Sequence, residues 1–139
     1  MKIIQSAIVL LSFSNFTLNA EDRFLVECPN SKVNPIACND TECTAKIHIE
    51  LPNQKETFVV AHKTIEVPPS KDKSVTFTQP SASLNEGNLR CTVTRNDKIP
   101  LEFDWTWSEI HAEVTKIDPS SRPIPKCGAT ANGMSCLLN

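Results

Sequence analysis

Apolar and polar residues alternate along three stretches of the chain, a pattern typical of strands with one buried face. In residues 43–51 every odd position is apolar and every even position is polar. The same period of two runs through residues 89–93 and 101–107. The turn sequence at residues 96–98 separates the last two stretches and predicts a β-hairpin.

Weaker strand patterns cover residues 23–28, 57–67 and 75–78. Residues 109–117 fit two predictions. Ile110, Val114 and Ile117 share one helical face that Ser108 could cap, whereas Ile110, Ala112 and Val114 fit a strand. The β-branched residues favour the strand.

The composition changes after Ile117. Residues 118–139 hold three prolines and two glycines without periodicity, which predicts an irregular tail pinned by its cysteines. Short strands, proline-rich turns and no long helix predict a mainly β fold for residues 21–117. We expect a small antiparallel β-sandwich or partly open barrel, stabilised by disulfides, with room for one short helix.

The first 20 residues have the features of a secretory signal peptide: a basic Lys2, a mostly apolar run and a small Ala20. The apolar run is too short to span a bilayer. Cleavage after Ala20 would leave 119 of the 139 residues, enough for one domain. We therefore expect a secreted, extracellular protein without a membrane span.

An even number of cysteines in a short secreted chain predicts disulfides. Neither a second zinc knuckle nor a Cys-x-x-Cys redox pair occurs, so we expect no metal site and no cofactor. Sequence alone does not choose among the pairings. Ease of short-loop closure, and a buried Cys91 that needs a distant partner, favour one set. It is Cys28–Cys91, Cys38–Cys43 and Cys127–Cys136.

Charge and chemistry narrow the function classes. Charges are interspersed and the net charge is −2, so we expect no nucleic-acid partner. His48, His62 and His111 could support acid–base catalysis in a secreted hydrolase or nuclease. Alternation places His48 on the solvent side, however, and no nucleophile elbow or phosphate loop occurs. We therefore name no catalytic residue.

Two features could contribute to binding. Asn39-Asp40-Thr41 is an N-glycosylation sequon inside the predicted Cys38–Cys43 loop. Trp105 and Trp107 would share a strand face with Phe103. They form either a core wall or an aromatic platform for a sugar, a lipid or a partner protein.

Two stretches resemble known families. "SLNEGNLRCTVTRNDKIPLEFDWTW" (83–107) resembles the B-to-C strand region of an immunoglobulin domain through Glu86-Gly87, Cys91 and Trp105. This implies a β-sandwich, although the tyrosine pattern of that family is absent. "VECPNSKVNPIACNDTEC" (26–43) is similar to the opening of the secreted lipid-recognition sandwiches related to house-dust-mite group 2 allergens. That likeness implies a lipid held between two sheets.

The leading hypothesis is a secreted β-protein that binds a protein or glycan partner rather than catalysing a reaction: an effector, inhibitor or recognition factor. A lipid-binding sandwich and a small hydrolase using the histidines are the alternatives.

Overall fold

The computed structural model describes residues 22–30 and 35–139 and shows two antiparallel sheets with one helix. The predicted signal peptide lies outside the described residues. The elements are β1 (Arg23–Glu27), β2 (Ala37–Cys38), β3 (Glu42–Glu50), β4 (Thr57–Glu66), β5 (Ser81–Asn85), β6 (Asn88–Thr94), β7 (Pro100–Trp105), α1 (Trp107–Ile117), β8 (Pro123–Thr130) and β9 (Gly133–Leu138).

The large sheet is built around β3. Strand β4 pairs with β3 from Glu42 to Glu50, so β2 and β1 share the other edge of β3. Strand β9 pairs with β1, and β8 forms the far edge. The small sheet has the order β5-β6-β7, and its β6–β7 hairpin turns at residues 96–98 as predicted. The sheets do not close into a barrel, and the predicted sandwich is confirmed.

The core lies between the sheets and follows the predicted alternation. The odd-numbered residues of β3, β6 and β7 point inward and are buried. One prediction about this alternation was wrong. His48 lies on the outer face of β3, between Glu27 and Val59 of the neighbouring strands, yet its relative exposure is only 9%. Its side chain is therefore not the solvent-facing residue that the pattern indicated.

The three disulfides are the pairs that the sequence favoured. Cys28–Cys91 joins the two sheets across 63 residues of chain. Cys38–Cys43 and Cys127–Cys136 each link directly opposed residues of neighbouring strands. On the chain-entropy view the longer loop contributes more, about 4 kcal/mol against about 2 kcal/mol for the shortest.

The strand interpretation of residues 109–117 was wrong. They belong to α1, whose N-cap is Thr106 rather than Ser108. The Thr106 hydroxyl accepts from the Glu109 amide at 3.2 Å, and the Glu109 carboxylate accepts from the Thr106 amide at 3.0 Å. This capping box starts the helix. Ile110 and Val114 then lie one turn apart and are both fully buried.

The prediction of an irregular tail was also wrong, because residues 123–138 form the β8–β9 hairpin. A register shift between Ile124 and Cys127 interrupts the period of two. The prolines of β8 are tolerated because this strand forms an edge of the sheet. Conversely, residues 75–78 make only an isolated bridge between Phe77 and Arg95.

Candidate functional site: the loop-end groove

The two ends of the sandwich are closed differently. At the helix end, where β3 and β7 finish, α1 covers the core. At the loop end, where β3 begins and β6 finishes, the irregular segment 67–80 covers the core instead. Two concavities, of about 370 and 330 Å³, open at the loop end. Both are lined by Ile36, Val75 and Phe77, and we call the whole surface the loop-end groove.

The two arms of the groove differ in chemistry. Besides the shared residues, the polar arm is lined by charged, hydroxyl and amide groups with one disulfide. The apolar arm is lined mainly by prolines, threonines and Val93. The polar arm comprises Cys38, Asn39, Asp40, Ser70, Asp72, Lys73 and Arg95.

Val75 is the most distinctive residue of the groove. It is one of two large hydrophobic residues that the described chain exposes, at 38% relative exposure; the other is Val59 at 45%. Val59 lies on the outer face of the large sheet. Val75 instead lies between two concavities, beside the half-buried Phe77 and Ile36. An apolar side chain in such a concave setting is typical of a binding surface.

Arg95 holds the groove in shape. Its side chain is only 3% exposed and donates two hydrogen bonds of 2.8 Å to the carboxylate of Asp97. A third donor reaches the Pro68 carbonyl at 2.8 Å. The hydrogen bond from Arg95 lowers the pKa of Asp97 below its ordinary value. Arg95 therefore connects the β6–β7 turn, through Asp97, to segment 67–80, through Pro68. Because its charge is paired with Asp97, Arg95 does not offer a free charge for ligand binding.

Backbone contacts fix the rest of the segment. The Val67 amide donates to the Thr41 carbonyl at 2.8 Å. Asn96 donates from its side chain to Ser74 and from its backbone to Thr76, both at 2.9 Å. The loop end is thus irregular in secondary structure but extensively hydrogen-bonded, which favours a preformed binding surface.

The tryptophans lie away from the groove. Trp105 is fully buried, stacks on Phe103 with ring centroids 6.3 Å apart, and donates its indole N–H to the Ala61 carbonyl. Trp107 begins α1 and is half-buried, with its ring 6.2 Å from that of Phe24. The structure therefore places Trp105 in the core wall, and no open platform contains both rings.

The histidines occupy three different elements. His48 and the exposed His62 lie on the outer side of the large sheet. His111 belongs to α1, where its ring meets Trp107 edge-on at 6.0 Å. Since Trp107 packs on the inward-facing Phe24, His111 lies on the opposite side of the large sheet from His48. Within the described ranges, no group of three or more His, Cys, Asp or Glu is arranged to hold a metal ion.

A larger concavity, of about 440 Å³, lies against the small sheet. Its two charged residues pair with each other, because Arg90 donates to Asp104 at 2.7 Å. Arg90 also donates to Glu102, outside the concavity, at 3.3 Å. The two carboxylates in turn raise the pKa of Arg90. None of its lining residues is an exposed large hydrophobic. We regard it as a solvated sheet face, and the loop-end groove as the better candidate.

Sequence reasoning singled out Asn39 and both cysteines of its loop, but missed the shared residues of the groove. The only available signal was the short alternation at residues 75–78, which resembled a strand.

Comparison with family profiles, curated proteins and solved structures found no similar protein. Across residues 22–30 and 35–139, no helix combines the length and apolar character needed to cross a bilayer.

Proposed function

We propose that this protein is secreted and acts by binding a partner protein at the loop-end groove, rather than by catalysis. The exposure of Val75 between two concavities, on a segment held by Arg95, is the observation that carries the proposal. Three disulfides are consistent with an oxidising, extracellular location. The same route would give Asn39 access to the glycosylation machinery.

A protein surface suits the groove better than a small molecule. Both arms are open rather than enclosed, and each is large enough for one or two side chains. The apolar centre would receive an apolar side chain of the partner. Asp40, Asp72 and Lys73 on the polar arm would form a charged rim of both signs, the usual anatomy of a protein–protein interface.

Two matched substitutions test the proposal. Val75→Asp places a charge in the groove, and Val59→Asp places the same charge on the outer face of the large sheet. Both sites are exposed, so both variants should fold. Wild type and the two variants would each be immobilised and incubated with extracellular fluid from the source organism, and the retained proteins quantified by mass spectrometry. We expect a protein retained by wild type and Val59→Asp and severalfold depleted on Val75→Asp.

Other outcomes would overturn the proposal. Equal retention by all three proteins would show that the groove does not take part in binding. Native mass spectra of the secreted protein that carry a stoichiometric lipid would favour the lipid-binding alternative.

A further inference from the structure

We propose that Asn39 carries an N-linked glycan that stands at the mouth of the polar arm and restricts access to it. The glycan requires the proposed secretion but not the proposed binding. Its consequence for binding rests on that function and narrows it: the partner would engage Val75 and the apolar arm, and would reach the charged rim of the polar arm only in molecules that lack the glycan.

The side chain of Asn39 is already oriented for this chemistry. Its Oδ1 accepts from the backbone amides of Thr41 and Glu42, at 2.9 and 2.8 Å, and from the Thr41 hydroxyl at 3.3 Å. Three donors converge on one atom, so the carbonyl oxygen of the amide must face the turn. The amide nitrogen Nδ2, to which a sugar is attached, therefore points away from it. Asn39 and its neighbours Asp40 and Thr41 are all exposed.

The loop that contains the sequon is rigid and accessible. The Cys38–Cys43 disulfide closes it, and the Asn39 amide donates to the Glu42 carbonyl at 2.9 Å. The sequon is thus displayed on a tight turn at the surface. Because Asn39 and its neighbours are exposed, the folded protein has room for a glycan there.

The bond-forming step uses a donor that the secretory pathway supplies, an oligosaccharide linked through a diphosphate to a lipid. Nδ2 of Asn39 forms a bond to the anomeric carbon of the first sugar as the bond from that carbon to the diphosphate breaks. The lipid diphosphate leaves with the electron pair, and Nδ2 loses one proton. No oxidant or reductant is required.

The position of Asn39 gives the glycan its effect. Asn39 and Lys73 both line the polar arm, whose volume of about 370 Å³ is smaller than a branched oligosaccharide. A glycan on Asn39 would therefore slow the approach of reagents to the exposed Lys73. Lys55, which is also exposed, lies in the turn between β3 and β4 at the helix end and serves as the internal reference.

The test uses protein secreted from a eukaryotic host, with two variants. Thr41→Ala destroys the sequon but keeps both backbone donors to Asn39, and Thr41→Ser keeps the sequon. We expect wild type and Thr41→Ser to lose one glycan mass on enzymatic release, with Asn39 converted to Asp, and Thr41→Ala to lose none. Unmodified Asn39 in peptide maps of the wild type would overturn the proposal.

The shielding is measured separately. Acetylation of Lys73 relative to Lys55 by a water-soluble succinimidyl acetate should be severalfold slower in wild type than in Thr41→Ala. Should Thr41→Ala fail to be secreted, enzymatically deglycosylated wild type replaces it. Equal ratios would refute the shielding even with Asn39 fully occupied. Neither readout depends on a partner, so failure here is distinguishable from failure of the proposed function.

Discussion

The helix end and the loop end of the sandwich close the same core by opposite means. At the helix end, α1 buries Ile110 and Val114 completely, and the rings of Trp107 and Phe24 pack together. At the loop end, hydrogen bonds from Arg95 and its neighbours hold an irregular segment that leaves Val75 exposed. Apolar burial therefore stabilises one end, whereas the other end has polar contacts that leave apolar surface available for recognition.

This difference explains why the candidate site lies where it does. A helix packed through one apolar face has little apolar surface left to offer a partner. Segment 67–80 is held by hydrogen bonds, such as the one from Arg95 to the Pro68 carbonyl, and only its Val67 and Pro80 are buried. Substitutions of Val75 or Lys73 would therefore alter the proposed binding at little cost to the fold.

Truncation of one apolar side chain at each end should give the largest difference in the free energy of unfolding. Ile110→Ala removes a fully buried side chain, so we expect the free energy of unfolding to fall by about 2–5 kcal/mol. Val75→Ala removes an exposed one and should change it by less than about 0.5 kcal/mol. Urea denaturation with disulfides intact measures both. Similar losses at the two ends would contradict the comparison.

A glycine substitution should have the next largest effect. Gly87, in the β5–β6 turn, has φ +88°, and a Cβ there would lie 2.7 Å from the Trp107 ring. Gly87→Ala should therefore destabilise the protein by about 1–3 kcal/mol, through backbone strain and overpacking. Gly128→Ala is the matched control, since a Cβ there meets nothing within 4 Å. Thermal unfolding compares the two variants. Equal Tm values would show that the packing of the Trp107 ring does not require a glycine at position 87.

Sequence reasoning succeeded where a short-range rule coincides with the tertiary structure. Apolar and polar residues alternate over residues 43–51 because one face of β3 lies in the core, and all the apolar positions are buried. Cys38 pairs with Cys43, and Cys127 with Cys136, because few residues separate them, which left Cys91 for the distant Cys28.

Sequence reasoning failed where two local rules compete or where a distant contact determines the local structure. Residues 109–117 satisfied both periods, and the Thr106–Glu109 capping box was the overlooked signal that favours the helix. The bulge in β8 concealed a strand. Val75 lies on a segment that Arg95 contacts at Pro68, 27 residues away along the chain, and no local pattern encodes that contact. For this reason the sequon alone was enough to propose glycosylation of Asn39, whereas no sequence signal indicated the groove beside it.

The smallest effect should be a pH dependence confined to the helix end. Burial acts to raise the pKa of Glu109, but hydrogen bonds from Lys63 and Thr106 outweigh it and lower the pKa below its ordinary value of 4.5. A lowered pKa means that the contribution of Glu109 to stability is complete above the unfolded value. It is lost as the pH falls through the folded value. Because the Lys63–Glu109 pair is about one-third exposed, its contribution should not exceed about 1 kcal/mol.

Glu109→Gln isolates that contribution, because the amide can still accept from the Thr106 backbone but cannot form the ion pair with Lys63. We expect the Tm of wild type to exceed that of the variant at neutral pH, and the difference to shrink on acidification below the ordinary pKa. Hydrogen exchange locates the effect: amides at the start of α1 should lose protection in the variant, while Val67 and Thr78 at the loop end keep theirs. If the loop-end amides lost protection equally, the two ends would be one cooperative unit, and the independence on which the comparison rests would be wrong.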